Sequence, residues 1–251
     1  MVSELNFEKD FIIKYFVDDL DYQQIEPSLF NSDLMLIPST LEKFIYNNYP
    51  QLIKEIIKED FKKDEKEFLK KFMQEASDYL YSNHNVAIQL NPKSHSSFRF
   101  LNKYTINLYI PFEGNNQNIY NVIEQPTFKI NSFIVKPDVG IFINGILVSF
   151  MQLKLQHRNQ CAAQEGRGQI IGDYLETITR SIVDQDDIDK LVIKNLKYFH
   201  SPIHLVTMDM SSSYIMRGIK KYFDGVLKTS NQADNSSLKE ELLKNFYLDT
   251  T

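Results

Sequence analysis

Apolar residues recur at helical intervals through the first third of the chain. Residues 5–20 predict a short amphipathic helix, and 21–37 an irregular segment without a period. "PSTLEKFIYNNY" opens a second helix, with Ser39 or Thr40 as its cap and Glu42 in the first turn, near the positive end of the dipole. Its apolar positions are Leu41, Phe44 and Ile45, and the pattern runs on through "LIKEIIKEDF". "DEKEFLKKFMQEASDYLYS" predicts a third helix with Phe68, Phe72 and Ala76 on one face. The mixed charges of its approach, "KEDFKKDEKE", read as a solvated surface.

After residue 84 the pattern changes. "NVAIQLN", "SFRFLNKYTINLYIPF", "IYNVIEQPTFKI" and "SFIVKPDVGIFI" are rich in β-branched and aromatic residues and are broken by Asn, Gly and Pro, as strands are. "ILVSFMQLKL" continues the sheet. "RNQCAAQEGRGQIIGDYLETITRSI" reads as helix, with a bend or a late start at Gly166, Gly168 and Gly172. "SPIHLVTMD" is a late strand; "SSYIMRGIKKYFDGVL" and "SSLKEELLKNFYL" fit helix or strand. The order predicts a mixed α/β (α+β) chain around one central mixed sheet flanked by helices. It divides into an amino-terminal helical extension (1–38), a main domain (39–228) and a carboxy-terminal tail helix (229–251).

Composition narrows the class. With 251 residues and 43% hydrophobic content the chain can bury a sizeable core. One cysteine, Cys161, allows no internal disulfide framework and suits a reducing compartment. The acidic start "MVSELNFEKDF" lacks the basic region and apolar run of a signal peptide, so a cytoplasmic location is expected. No run approaches 18 apolar residues, so no membrane partner is expected. Net charge is −5, which weighs mildly against a dedicated nucleic-acid binder. Its distribution is uneven. Residues 1–37 hold two Lys and eight Asp or Glu; residues 151–228 hold eleven Lys or Arg and nine Asp or Glu. A polyanion would therefore meet the later part.

The candidate chemistry lies in "KPDVGIFINGILVSFMQLK", residues 136–154. Two short apolar strands meet at Asn144-Gly145. Asp138 opens the first; Gln152 and Lys154 close the second. Alternation puts Gln152 and Lys154 on one side of the strand, with Met151, Leu153 and Leu155 on the other. A tight turn at Asn144-Gly145 returns the second strand so that Asp138 lies beside Gln152 and Lys154. A carboxylate and an amide oxygen suit Mg²⁺, which prefers oxygen and keeps several waters. The lysine can orient or deprotonate a water, or stabilise charge developing on a phosphate.

"PD" followed fourteen residues later by "QLK" resembles the PD-(D/E)-x-K nuclease core. The longer string "PDVGIFINGILVSFMQLK" is similar to the amino-terminal nuclease domain of type I restriction enzyme R subunits. There an Asp opens a strand, an Asn-Gly turn follows, and E-x-K closes the second strand. "NIYNVIEQPTF" is similar to the strand before that core. The likeness covers about residues 130–175 well and about 40–210 faintly. It departs at Gln152, which replaces the family's acidic residue, although the Mrr-like restriction enzymes resemble this Q-x-K version. It departs again in lacking the motor: no G-x-x-x-x-G-K-[ST] occurs.

The resemblance implies a restriction-endonuclease-like core over 39–228 and hydrolysis of DNA phosphodiester bonds by an Mg²⁺-dependent endonuclease, with Mn²⁺ as substitute. Asp138, Gln152, Lys154 and Glu42 would be catalytic, and Asp138, Gln152 and Glu42 would hold the metal. Glu42 enters as the family's first-helix Glu. Gln169 and Tyr174 of "QIIGDY" stand near the family's Q-x-x-x-Y element, one residue too far apart. They would contact substrate together with His157 and Arg158, just past Lys154. Double-stranded DNA is the implied partner, with restriction–modification subunits as further ones. The alternative is a catalytically silent nuclease-like fold that binds DNA or a protein. "FHSPIH" sets His200 and His204 four apart, but Pro202 between them argues against one helical face and against zinc.

Overall fold

The computed structural model describes residues 12–80, 98–109, 118–130, 133–154 and 169, and the backbone of 203–208, 213–216 and 226–228. The first element is a wide helical turn at Tyr15–Asp19 that buries Phe16. It ends five residues short of where Gln24 closes β1 (Gln23–Gln24). A short 3-10 turn, Pro27–Leu29, follows within the segment read as irregular.

Three helices come next: α1 (Pro38–Asn48), α2 (Pro50–Glu59) and α3 (Glu65–Leu80). The sequence pattern predicts α1 and α2 as one helix capped by Ser39 or Thr40. Both details differ in the structure, and proline is the reason each time. Pro38 occupies the first helical turn, where a missing N–H costs nothing, and Ile37 stands at the cap position without a side-chain bond. Glu42 consequently lies beyond the first turn. Pro50 cannot continue α1, and it excludes Tyr49 before it from helical backbone, so Tyr49 turns out at φ −130°, ψ 40°. α3 is as its periodicity predicts: Phe68, Phe72, Ala76 and Leu80, each four residues on, are all fully buried.

Among the described residues seven strands form one mixed sheet. Its members beyond β1 are β4 (Tyr120–Glu124), β7 (Val139–Ile143), β8 (Ile146–Met151), β9 (Ile203–Met208), β10 (Ser213–Met216) and β11 (Val226–Lys228). The order is β1-β4-β7-β8-β9-β10-β11; β7 is antiparallel to β4 and β8, and β10 to β9 and β11, whereas β1 is parallel to β4 and β9 is parallel to β8. The closing segment that fits helix or strand thus contributes strands β10 and β11. The helices together with this mixed sheet give the α+β class.

Two hairpins stand apart from the sheet, β2 (Phe98–Phe100) with β3 (Tyr104–Ile106), and β5 (Phe128–Ile130) with β6 (Phe133–Val135). The β2–β3 hairpin packs on α3 through aromatic rings. Phe98 meets Phe72 at 5.6 Å, and Phe100 meets Phe68 at 5.7 Å and Phe72 at 5.2 Å. At its tip the Tyr104 hydroxyl donates to Asp60 at 2.5 Å, tying the hairpin to the end of α2.

β7 and β8 are buried along their whole length on both faces. Their near-continuous apolar sequence is that of strands covered on two sides rather than one. They meet in a two-residue loop, Asn144-Gly145, with φ of 53° and 78°. Positive φ at both positions is the type I′ hairpin turn, which Asn-Gly favours.

This turn is also a packing joint. Ile37 N–H donates to Gly145 O at 2.8 Å, and a Cβ placed on Gly145 would lie 2.5 Å from Ile37 O and 3.0 Å from Leu41 N. Asn144 is fully buried. Its Nδ2 donates to Leu108 O at 2.9 Å and Asn118 Oδ1 at 2.8 Å, while its Oδ1 accepts from Ile119 N–H at 2.8 Å. The turn therefore fixes the start of α1 and the two segments leading into β4.

Two substitutions test this joint by urea denaturation, read as a change in midpoint at unchanged slope. Gly145→Ala meets both a disfavoured φ and the Ile37 carbonyl, and is expected to cost about 3 kcal/mol or more. Asn144→Asp keeps a residue that accepts positive φ but removes both N–H donors and buries a charge, for an expected loss of about 2–4 kcal/mol. An Asn144→Asp midpoint equal to wild type would show that the buried amide contributes nothing beyond its backbone conformation.

Candidate functional site

A two-residue loop sets the parity of the hairpin. Ile143 pairs with Ile146 and Phe142 with Leu147, so partners differ by an odd number of residues. Asp138 and Gln152 differ by fourteen. In an unbroken ladder Asp138 would face Met151, and Gln152 would fall on the opposite face, because a one-residue slip reverses every side chain. The structure inserts one extra residue. Ile141 pairs with Ser149, which leaves Val148 unmatched in a β-bulge, and Gly140 then pairs with Phe150 and Val139 with Met151. Past the bulge Asp138 stands across from Gln152.

The backbone of Asp138 is held from both sides. Its N–H donates to Met151 O at 3.0 Å, and its carbonyl accepts from Gln125 N–H at 2.7 Å. Its side chain reaches across the strand end. Oδ2 accepts from Gln152 Nε2 at 2.7 Å and from Leu153 N–H at 2.6 Å. Charged acceptors make short, strong bonds, and these two fix the carboxylate against the first residues after β8. Gln152 is 2% exposed, whereas Asp138 and Lys154 are half-buried, so the pair opens toward the surface on the Asp138 side.

Packing beneath the pair is aromatic. Phe128 meets Phe150 at 5.9 Å and Phe30 at 5.5 Å; Phe30 also meets Phe142 at 5.4 Å. Phe142 and Phe150 belong to the face that Asp138 and Gln152 continue. Gly140 lies on the same face: a Cβ there would come within 2.9 Å of Pro126 and of the Phe142 ring. The polar pair thus caps a rigid apolar layer, which limits how far its members can move.

The sequence-predicted residues separate into three groups. The structure brings Asp138 and Gln152 into direct contact, with Lys154 two positions further along the same segment. It does not bring Glu42 to them. Glu42 follows Leu41, which packs at the Asn144-Gly145 turn, while Asp138 lies six residues from that turn, roughly 20 Å along an extended strand. Glu42 bears instead on Tyr46, whose hydroxyl donates to Glu65 Oε1 at 2.5 Å. Burial, the Glu65 bond and the charges of Glu65 and Glu42 push the Tyr46 phenol well above its usual range. Tyr174, His157 and Arg158, and the helix expected over 160–180, lie outside the described residues, within which Gln169 is half-buried.

Among the described residues no group of three or more His, Cys, Asp or Glu side chains could hold a metal ion. On the neighbouring strand β4, Glu124 pairs with Val139 and so belongs to the other face. Mg²⁺ nevertheless needs only one or two carboxylates when waters and substrate phosphates complete its shell. Asp138 meets that minimum, while Gln152 presents its nitrogen to Asp138, so its amide oxygen would join a cation only after the side chain turned. One carboxylate with a turned amide oxygen would give a divalent cation such as Mg²⁺ or Mn²⁺ only two protein ligands, the rest coming from water or phosphate.

Sequence reasoning missed the Leu153 N–H, which binds Asp138 as closely as Gln152 does, and the bulge at Val148. The parity of the interval announces the bulge: an even separation across a two-residue loop cannot place two side chains on one face without an extra residue. No helix among the described residues is long and apolar enough to cross a membrane. No protein-family model matches the chain, and no curated protein matches it.

Proposed function

We propose that the chain is a metal-dependent endonuclease with a restriction-endonuclease-like core, hydrolysing phosphodiester bonds of DNA. The observation that carries this reading is the bulged register, which sets Asp138 against Gln152 at one end of adjacent strands with Lys154 two positions on. The P-D…Q-x-K spacing adds the resemblance to nuclease cores.

Asp138 and Gln152 would hold Mg²⁺. When bound, Mg²⁺ supplies charge for a phosphate oxygen and lowers the pKa of a coordinated water. Asp138, fixed by Gln152 and Leu153, gives the ligand a set direction, which is the source of positional catalysis. Lys154 is the cation of the site and would orient the attacking water or stabilise the phosphate's developing charge. Backbone phosphates would dominate DNA affinity, so binding should weaken steeply with salt.

A second reading has its own observation. Asp138 Oδ2 already takes two N–H bonds, and among the described residues no group of three or more His, Cys, Asp or Glu side chains could hold a metal ion. That arrangement also suits a silent nuclease-like fold that binds DNA or a protein partner.

Supercoiled plasmid separates the two. The nuclease reading expects nicking and linearisation in Mg²⁺ or Mn²⁺, none with chelator, and a fall of about 10²-fold or more in Asp138→Ala and Lys154→Ala. Folded wild-type protein that leaves double-stranded and single-stranded DNA intact in both metals, yet shifts DNA in a gel, would establish the silent reading. The salt series provides a separate check: a logarithmic plot of the DNA association constant against salt should fall linearly with a slope of several units. A flat plot would remove phosphate contacts as the main source of affinity.

A further inference from the structure

The hydrogen bond between Gln152 and Asp138 has a direction. The nitrogen end of the amide faces Asp138, with Nε2 at 2.7 Å from Oδ2. A metal ligand would be the other end, Oε1. A carboxamide donates at one end and accepts at the other, and the two ends exchange by a half-turn about the last side-chain bond. Gln152 is 2% exposed, so either end must be satisfied where it points. A Glu in this place has no donating end. Its carboxylate would stand about as close to Asp138 as the amide nitrogen does now, and like charges at that distance repel strongly.

We propose that Gln152 is a positioning residue that works by turning end for end. Without a divalent cation its N–H₂ group holds Asp138, adding a donor to that of the Leu153 N–H. When a cation binds, the amide turns and offers Oε1 to it. The first half rests on the hydrogen bond alone; the second half rests on the nuclease reading. The consequence is a site that stays assembled without metal, where a pair of carboxylates would repel unless one of them took up a proton. The Leu153 N–H keeps its bond to Asp138 in both states, so the carboxylate retains one fixed anchor while the amide turns.

The test uses the full chain labelled with ¹⁵N, with Mg²⁺ alone as the probe. The Gln152 side-chain N–H₂ signals are identified by their loss in Gln152→Leu. In chelator, one of the two protons should lie downfield of the ordinary glutamine range, and should return to it in Asp138→Ala. Adding Mg²⁺ to wild type should move that proton saturably, and should leave Asp138→Ala unmoved. Melting temperatures give a second readout. In chelator, Gln152→Glu should melt about 5 °C below wild type, and Mg²⁺ or Mn²⁺ should recover the loss. Gln152→Leu should melt low in both conditions.

A Gln152 signal in the ordinary range in chelator, unaffected by Asp138→Ala, would overturn the donor role. A downfield signal that depends on Asp138 but ignores Mg²⁺ and Mn²⁺ would overturn the turning. If the signal moves with Mg²⁺ while plasmid stays uncut, the positioning role stands and the nuclease reading fails.

Discussion

The arrangement of the polar strand ends depends on the register of one hairpin. A type I′ turn at Asn144-Gly145 fixes where β7 and β8 begin to pair, and the bulge at Val148 shifts the ladder by one residue beyond Ile141. Both devices are needed. The turn alone would set Asp138 against an apolar residue and send Gln152 to the other face. The bulge alone, without a fixed turn, would leave the register open to slip. Strands buried on both faces resist such slip poorly through patterning, because either face accepts apolar side chains. The polar ends therefore carry register information of their own: only one pairing gives the Asp138 carboxylate its Gln152 and Leu153 donors.

The two ends of the hairpin have different physical roles. At the turn, buried Asn144 and a glycine without room for a Cβ clamp α1 and the approach to β4. Both turn residues are buried. At the other end the backbone of Asp138 is gripped by Met151 and Gln125, and its side chain is oriented by donors from the β8 exit. Rigidity at the turn is transmitted along two fully buried strands to a half-buried carboxylate. A functional group set on strands in this way holds its geometry better than one on a loop. The same geometry removes Glu42, because a residue tied to the turn cannot also reach the far end of the strands.

The aromatic content has a comparable division. One group of rings, around Phe68, Phe72, Phe98 and Phe100, joins α3 to the β2–β3 hairpin. Another, formed by Phe30, Phe128, Phe142 and Phe150, lines the sheet face that Asp138 and Gln152 continue. With few glycines in the chain, interlocked rings supply much of the packing, and edge-to-face contacts make it directional. The second group is the floor of the candidate site.

Local chemistry made much of this legible in the sequence. Helical spacing gave α3, because Phe68, Phe72 and Ala76 need only their own helix to share a face. Asn-Gly gave the turn, because few dipeptides accept positive φ twice. Pro38 and Pro50 also carried their information locally, in the backbone they forbid, although a period read through them suggested one continuous helix with a side-chain cap. Other features were decided by tertiary structure. Whether Asn144 served only as a turn residue or also as a buried hydrogen-bonding hub depended on Leu108, Asn118 and Ile119, which come from other segments. Whether Glu42 approached Asp138 depended on which end of the hairpin α1 packs against. The strand character of 213–216 came from pairing with β9, a partner distant from any local propensity. The closeness of Asp138 and Gln152 lay between these cases. Their even spacing around a two-residue turn demanded one extra residue, but only the pairing of real strands placed it at Val148, where the ladder could bend without exposing either face.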